Sequence, residues 1–253
     1  MKHYEKLIEL GCFSRQTLAE TVGSDSAAAS VIYEYMKKGY IERVRHDLYT
    51  VISLETRQPI LSRYQIGASL FPDACITHHS AFEVFGYANQ AFYETYVSTK
   101  SRFADFDYNG VSYHRVSPKR NAATIMQGTV PVTGLEQTVV DCISDFEKIG
   151  GLEETLRCML LIPALNSTRL LSVLKQYDNG FLYQKTGYLL QELNASLALP
   201  AAFFDECARH IPAGKRYLTK EKGGLVFHEQ WKLYAPASIR GFIDKGMDDY
   251  DAI

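Results

Sequence analysis

Two adjacent histidines, His78 and His79, invite a metal reading. Neighbouring side chains point in different directions on a helix or a strand, so such a pair rarely holds one ion. No Cys, Asp or Glu stands beside them at a zinc-like spacing. His79-Ser80 is expected instead to cap a short helix, and neither a metal nor a cofactor is assigned. Glu136 and Asp141 are five apart on a predicted helix and do not share a face. Asp105 or Asp107 with Glu94 would give a nuclease its acidic groups, though nothing in the sequence fixes their geometry. No GxSxG elbow, GxxxxGK[ST] loop or GxGxxG turn appears. The expectation is a protein without catalysis; the alternative is a DNA-modifying, nuclease-like enzyme carrying a targeting domain.

The clearest chemistry on offer is electrostatic. Residues 1–50 hold seven Lys/Arg and seven Asp/Glu, so the segment is neutral. Four of the seven basic residues nevertheless fall together as Lys37, Lys38, Arg43 and Arg45, with His46 adjoining. Clustering of this kind is the footprint of phosphate contact. Just before it stand Ser24, Ser26, Ser30 and Tyr33, which can hydrogen-bond bases or phosphates. Ala27 and Ala29 between them permit close approach.

The elements that would position these groups are legible. A first helix spans Tyr4 to Leu10 and stops at Gly11. Ser14 is a good N-cap, with Phe13 and Leu18 as a hydrophobic staple. Gly23 ends that helix. Ser24-Asp25-Ser26 caps a third helix through Lys38, with Ala28, Ile32 and Tyr35 or Met36 as its apolar stripe. Tyr40–Val44 and Leu48–Ile52 flank a two-residue turn, His46-Asp47. If Arg45 pairs with Leu48, Val44 faces Tyr49, and Arg43 and Arg45 project from one face. Two capped helices followed by a hairpin make a winged helix-turn-helix, whose third helix can enter a major groove.

Beyond residue 58 the pattern is mixed. Residues 61–148 alternate short strands and helices. Asn109-Gly110 marks a hairpin between Phe103–Tyr108 and Val111–Val116. Thr129–Val132 is a short strand, and Thr133-Gly134-Leu135-Glu136 is a capping box opening a helix to about Phe146. Residues 149–253 are mainly helical: Leu152–Leu161, Thr168–Tyr177, Leu182–Leu197 and a shorter helix after Pro200. A small β element follows, then an acidic tail, Asp248–Asp251, expected to fray. The predicted fold is α+β, with a winged helix-turn-helix over 1–58 and a larger mixed domain over 59–253.

Composition sets outer bounds. The 253 residues are 46% apolar and 22% charged, which excludes a wholly disordered or collagen-like chain. The net charge of −2 excludes a uniformly basic surface but not a local patch. No apolar run reaches the roughly 18 residues of a membrane span. The N-terminal residues carry charges of both signs and do not read as a secretory signal. Five well-separated cysteines without CxxC spacing fit free thiols in a reducing cytoplasm.

Several stretches, taken together, resemble a known family. They are Gly39-Tyr40-Ile41-Glu42-Arg43-Val44 with Leu48-Tyr49, Ile76-Thr77-His78-His79-Ser80-Ala81, Tyr96-Val97-Ser98-Thr99, Tyr113-His114-Arg115-Val116, and Val132 through Cys142 with Gly150-Gly151-Leu152 beyond. Over nearly its whole length the chain resembles the AbiEi-type antitoxins of abortive-infection, type IV toxin–antitoxin systems, which serve in phage defence. The more specific parts are His78-His79-Ser80-Ala81 and the segment Leu135 to Asp141. The resemblance implies a transcriptional autoregulator that binds inverted repeats in its operon promoter, with self-association on DNA. It also implies a second domain opposing a nucleotidyltransferase-like toxin without a stable complex. Two positions depart from the pattern: Asp47 stands where Gly is usual at the wing tip, and Gln137 where Arg is common.

Overall fold

Two serines open the helices that follow the first strand. In the computed structural model, which describes residues 3–119, 122–220, 222–241 and 243, α1 (Tyr4–Leu10) is followed by β1 (Cys12–Phe13) and α2 (Arg15–Val22). The Ser14 hydroxyl accepts from the Thr17 amide at 3.0 Å and starts α2. Ser24 accepts from the Ala27 amide at 3.2 Å and starts α3 (Asp25–Lys37). Each cap satisfies an amide that the first helical turn leaves without a partner. Ala28, Ile32 and Tyr35 are buried against Leu7, Phe13, Leu18 and Tyr49, whereas Met36 is exposed. β2 (Ile41–Arg45) and β3 (Leu48–Val51) form a hairpin, and β1 completes a sheet in the order β1-β3-β2.

The hairpin register differs from the expectation. Arg45 pairs with Leu48, but Arg43 pairs with Tyr49 and Glu42 with Thr50. Val44 is the extra residue of a β-bulge between the two arginines, and its side chain is buried. A bulge resets the two-residue alternation, so Arg43 and Arg45 do not share a face.

The chain forms two compact units whose segments interleave. The first comprises residues 1–76, 92–117 and 126–131; the second comprises 77–91, 118–125 and 132–253. Sequence punctuation favours a single cut at 58/59, with parts at 61–148 and 149–253. The interleaving arises because strand partners are distant in sequence, as with Cys75 and Ser98. Along this stretch run α4 (Arg63–Ala68), β4 (Cys75–Ile76), α5 (His78–Phe85), β5 (Glu94–Ser98), β6 (Phe106–Tyr108), β7 (Val111–Val116), β8 (Thr124–Gln127) and β9 (Val130–Thr133). The six strands align as β6-β7-β5-β4-β9-β8, with β5 and β7 parallel. Asn109 and Gly110 take the left-handed backbone (φ 50° and 74°) that a tight hairpin turn requires. β8 has no counterpart in the sequence reading. All four of its residues are exposed, so it lacks the alternation that marks a half-buried strand.

The second unit is built on α6 (Leu135–Ser144), α7 (Gly151–Leu160), α8 (Ser167–Tyr177), α9 (Gly180–Glu192), α10 (Asn194–Leu197) and α11 (Ala201–Arg209), with β10 (Arg216–Tyr217), β11 (Leu225–His228) and β12 (Leu233–Pro236) in the order β10-β12-β11. Every residue from Glu136 to Ile143 is buried, which makes α6 the central helix of this unit's core. The expected capping box does not form. Gly134 is the N-cap, and the Glu136 carboxylate instead accepts from the Asn166 amide at 3.0 Å, beside the start of α8. On α9, Gly187 admits the Trp231 ring; a Cβ there would lie 2.1 Å from it. The long helix expected to Leu197 breaks at Leu193 into α9 and α10.

The fold is therefore mixed α+β with several sheets. All five cysteines are free thiols. Among the described residues no helix is long and apolar enough to cross a membrane. The 248–251 tail and Lys2 lie outside the described residues.

Candidate nucleic-acid interface

At 3.6 residues per turn, Ser26, Ser30, Tyr33 and Lys37 fall within about 60° of one another on α3. All four are exposed, Tyr33 by 66%. They lie opposite the buried stripe of Ala28, Ile32 and Tyr35. No carboxylate falls on this stripe. The acids that flank it have their own cations: Asp25 is paired with Arg15, and Glu34 with Lys38 at 3.5 Å. Among the described residues Lys37 has no ion-pair partner. Ser24 is occupied as the cap, and Ser30 donates to the Ser26 carbonyl at 3.0 Å. The face is thus small hydroxyls, one aromatic ring and a cation.

The hairpin tip is tied to α2. Asp47 takes the left-handed conformation (φ 54°), which Asp tolerates better than most residues. Its carboxylate accepts from the Arg15 amide at 3.0 Å, a second cap on the first turn of α2. His46 beside it is exposed. Arg43 is exposed too; its guanidinium lies 5.6 Å from the Tyr49 ring centre and donates to the Tyr49 hydroxyl at 3.3 Å. This contact orients the charge while leaving it accessible.

Arg45 does something else. Its guanidinium carbon sits 5.5, 5.4 and 5.6 Å from the ring centres of Phe71, Phe103 and Phe106. Its Nη1 is buried without a hydrogen-bond partner among the described residues. Three aromatic rings around one guanidinium form a cation–π cage. Arg45 therefore packs the hairpin inside the first unit and does not present its charge as Arg43 does. No sequence signal announces this, because the three phenylalanines lie 26 to 61 residues away.

The remaining chemistry-bearing residues are held in separate networks. In the second unit, His79 lies between two carboxylates. Its Nε2 faces Glu154 at 3.0 Å and its Nδ1 faces Glu83 at 3.4 Å. Burial pulls its pKa down, but the hydrogen bonds to Glu154 and Glu83 outweigh that and raise it. The Cys158 thiol also donates to Glu154 (3.2 Å), as do the side-chain amides of Asn89 (3.2 Å) and Gln90 (3.1 Å). Ligand-capable atoms of His79, Glu154 and Cys158 lie within 4.8 Å of one another. Four donors thus converge on Glu154, two of them, Asn89 and Gln90, from exposed residues. His79 is thus not part of a cap; Thr77 holds the N-cap position of α5, and His78 takes the left-handed backbone (φ 53°).

A second buried network centres on Asp141 of α6. It accepts from Tyr177, from Gln137 at 2.6 Å and from Thr77 at 3.4 Å. Burial outweighs these bonds and pushes its pKa up to about 6. Gln137 thus meets a carboxylate where the resembled family commonly has Arg, and its Oε1 is left without a partner among the described residues. The acids suggested for a nuclease have other duties. Asp105 binds His114 at 2.8 Å, Asp107 accepts from Ser112 at 2.5 Å, and Glu94 accepts from the Tyr96 hydroxyl at 2.8 Å.

No protein-family model matches the chain, and no curated protein matches it. Among solved structures it is similar to the Rv2827c protein from Mycobacterium tuberculosis. The two share 13% identity at a TM-score of 0.64, over 93% of this chain and 89% of that one. At that identity the likeness concerns the fold alone.

Proposed function

We propose that this protein is a promoter-binding transcriptional regulator of the antitoxin type, with α2, α3 and the β2–β3 hairpin acting as a winged helix-turn-helix. The observation that carries the reading is the carboxylate-free stripe on α3. A recognition helix must bring its surface against phosphates and base edges, where an unpaired carboxylate would be repelled. Ser26, Ser30 and Tyr33 would face the major groove. Lys37, Lys38, Arg43 and His46 would contact phosphate, and Ser24 would act by capping the helix. Arg45 leaves the list of contacts, since its cage uses the charge. The partner is double-stranded promoter DNA with inverted repeats, bound by a pair of copies. The role against a nucleotidyltransferase-like toxin rests on the family resemblance, and the second unit would carry it.

The test is a salt titration of binding to the DNA upstream of the gene, against a scrambled duplex. Specific binding whose log affinity falls linearly with log salt is the expected result. Equal, weak binding to both duplexes would overturn the reading.

A further inference from the structure

The second unit carries a solvent-open cavity of about 780 Å³, within the range of small-molecule sites. Phe146, Phe181 and Tyr217 supply aromatic walls, and Leu152 and Leu225 supply aliphatic ones. Lys185 of α9 also lines it, although the residue is only 8% exposed. Its ammonium donates to the carbonyls of Ile143 (2.6 Å) and Ser144 (3.5 Å), in the last turn of α6. The same nitrogen lies 4.6 Å from the Phe146 ring centre and 5.3 Å from that of Phe181.

The charges around the cavity do not cancel. Three carboxylates line it, and each has its own cation: Asp145 with Lys148, Glu147 with Lys220, and Glu153 with Arg157 at 2.7 Å. Lys185 has no carboxylate within ion-pair distance among the described residues. An ammonium removed from water without a counter-ion is costly, and the carbonyls supply only partial negative charge. Burial accordingly draws its pKa down to about 8, against a smaller upward pull from Asp145.

We propose that this cavity is a binding site for a small aromatic monocarboxylate, whose carboxylate pairs with Lys185 while its ring packs against Phe146 and Phe181. The aromatic walls select a planar apolar body, and the uncompensated ammonium selects a single negative charge. The paired acids at the rim disfavour a more highly charged anion. The site is independent of the DNA-binding reading.

The probe is 2-naphthoate, titrated calorimetrically into the full-length protein, with the neutral 2-naphthalenemethanol as its control. Naphthoate is expected to bind at least 10-fold more tightly than the alcohol. That preference should shrink as pH rises from 7 to 9.5 and Lys185 loses its proton. Lys185→Met should abolish it, and Phe181→Ala should weaken both probes. The pH series uses the unmodified protein, so it stands even if the lysine variant fails to fold. Equal affinity for acid and alcohol, a preference that does not change with pH, or no binding of naphthoate would each overturn the proposal.

Discussion

The exposed face of α3 and the buried network around Glu154 use polar residues in opposite ways. On α3, Ser26, Ser30, Tyr33 and Lys37 stay in water and make few bonds to the protein, so their hydrogen-bonding capacity remains available to a ligand. Around Glu154, four donors converge on one carboxylate, drawn from α5, α7 and the segment after α5. The first arrangement preserves binding capacity at little cost to stability. The second consumes it, because a buried charge is tolerated only when its bonds are made. Density of polar residues is therefore a poor guide to a binding face. The useful sign is polar groups left unpaired where water or a partner can reach them.

The contrast is broken most forcefully at Glu154. Glu154→Leu would take a carboxylate partner from the buried His79 and Cys158, and breaking a buried pair from one side typically costs 3–5 kcal/mol. Urea unfolding should show a loss of about that size. A loss below about 1 kcal/mol would mean that the network is not what holds these residues in place. If DNA binding depends on the α3 face, the variant should still bind duplex with an unchanged salt slope under conditions where it is folded.

Two buried titrations in the second unit sharpen the point, because they oppose each other. Burial draws His78 down to about 4, with a smaller push from the Lys148 charge, so the unfolded chain holds the extra proton between about pH 4 and 6.5. His78 thus makes stability fall as pH drops through that window. Asp141 is pushed up to about 6, so there the folded protein holds the extra proton. Its contribution is present at low pH and is lost as pH rises from about 4 to 6. Each effect is worth about 3 kcal/mol. They largely cancel in the unmodified protein. Asp141→Asn should expose the histidine term, with stability falling by about 3 kcal/mol from pH 6.5 to 4. His78→Asn, a residue that accepts the same left-handed backbone, should expose the opposite slope. Parallel stability curves for the two variants would refute the assignment.

How much of this was legible beforehand follows the range of the interactions. The caps at Ser14 and Ser24, the α3 stripe and the Asn109-Gly110 turn depend on residues within one or two turns, and each is readable from spacing. Asp47 and its left-handed turn were readable for the same reason. The bulge at Val44 was not, because it is set by which side chains the core of the first unit accepts. Glu136 stands at the spacing of a capping box, but its carboxylate accepts from the Asn166 amide beside the start of α8, thirty residues on. The His79 network combines an i,i+4 carboxylate, Glu83, with Glu154 and Cys158 from α7. Only the first of these lies close enough in sequence to be noticed.

Arg43 and Arg45 put the same contrast into two residues of one hairpin, and they separate by different measurements. Arg45→Ala removes a guanidinium from among three rings and should cost about 2 kcal/mol of stability through lost packing and cation–π attraction. The salt dependence of DNA binding should be unaltered in the folded variant. Lys37→Ala with Arg43→Ala should do the reverse. Stability should stay within about 0.5 kcal/mol, as is usual for exposed positions. Affinity should fall by roughly 10-fold on specific and scrambled duplex alike. Each phosphate contact contributes about 0.9 to the slope of log affinity against log salt, so the pair should flatten that slope by up to about 1.8. The decisive comparison is the slope, because an unfolded, non-binding fraction of the protein would lower the apparent affinity without changing the number of counterions released per bound molecule. A flattened slope for Arg45→Ala, or an unchanged one for the double variant, would mean that the charges facing DNA have been assigned to the wrong side of the hairpin.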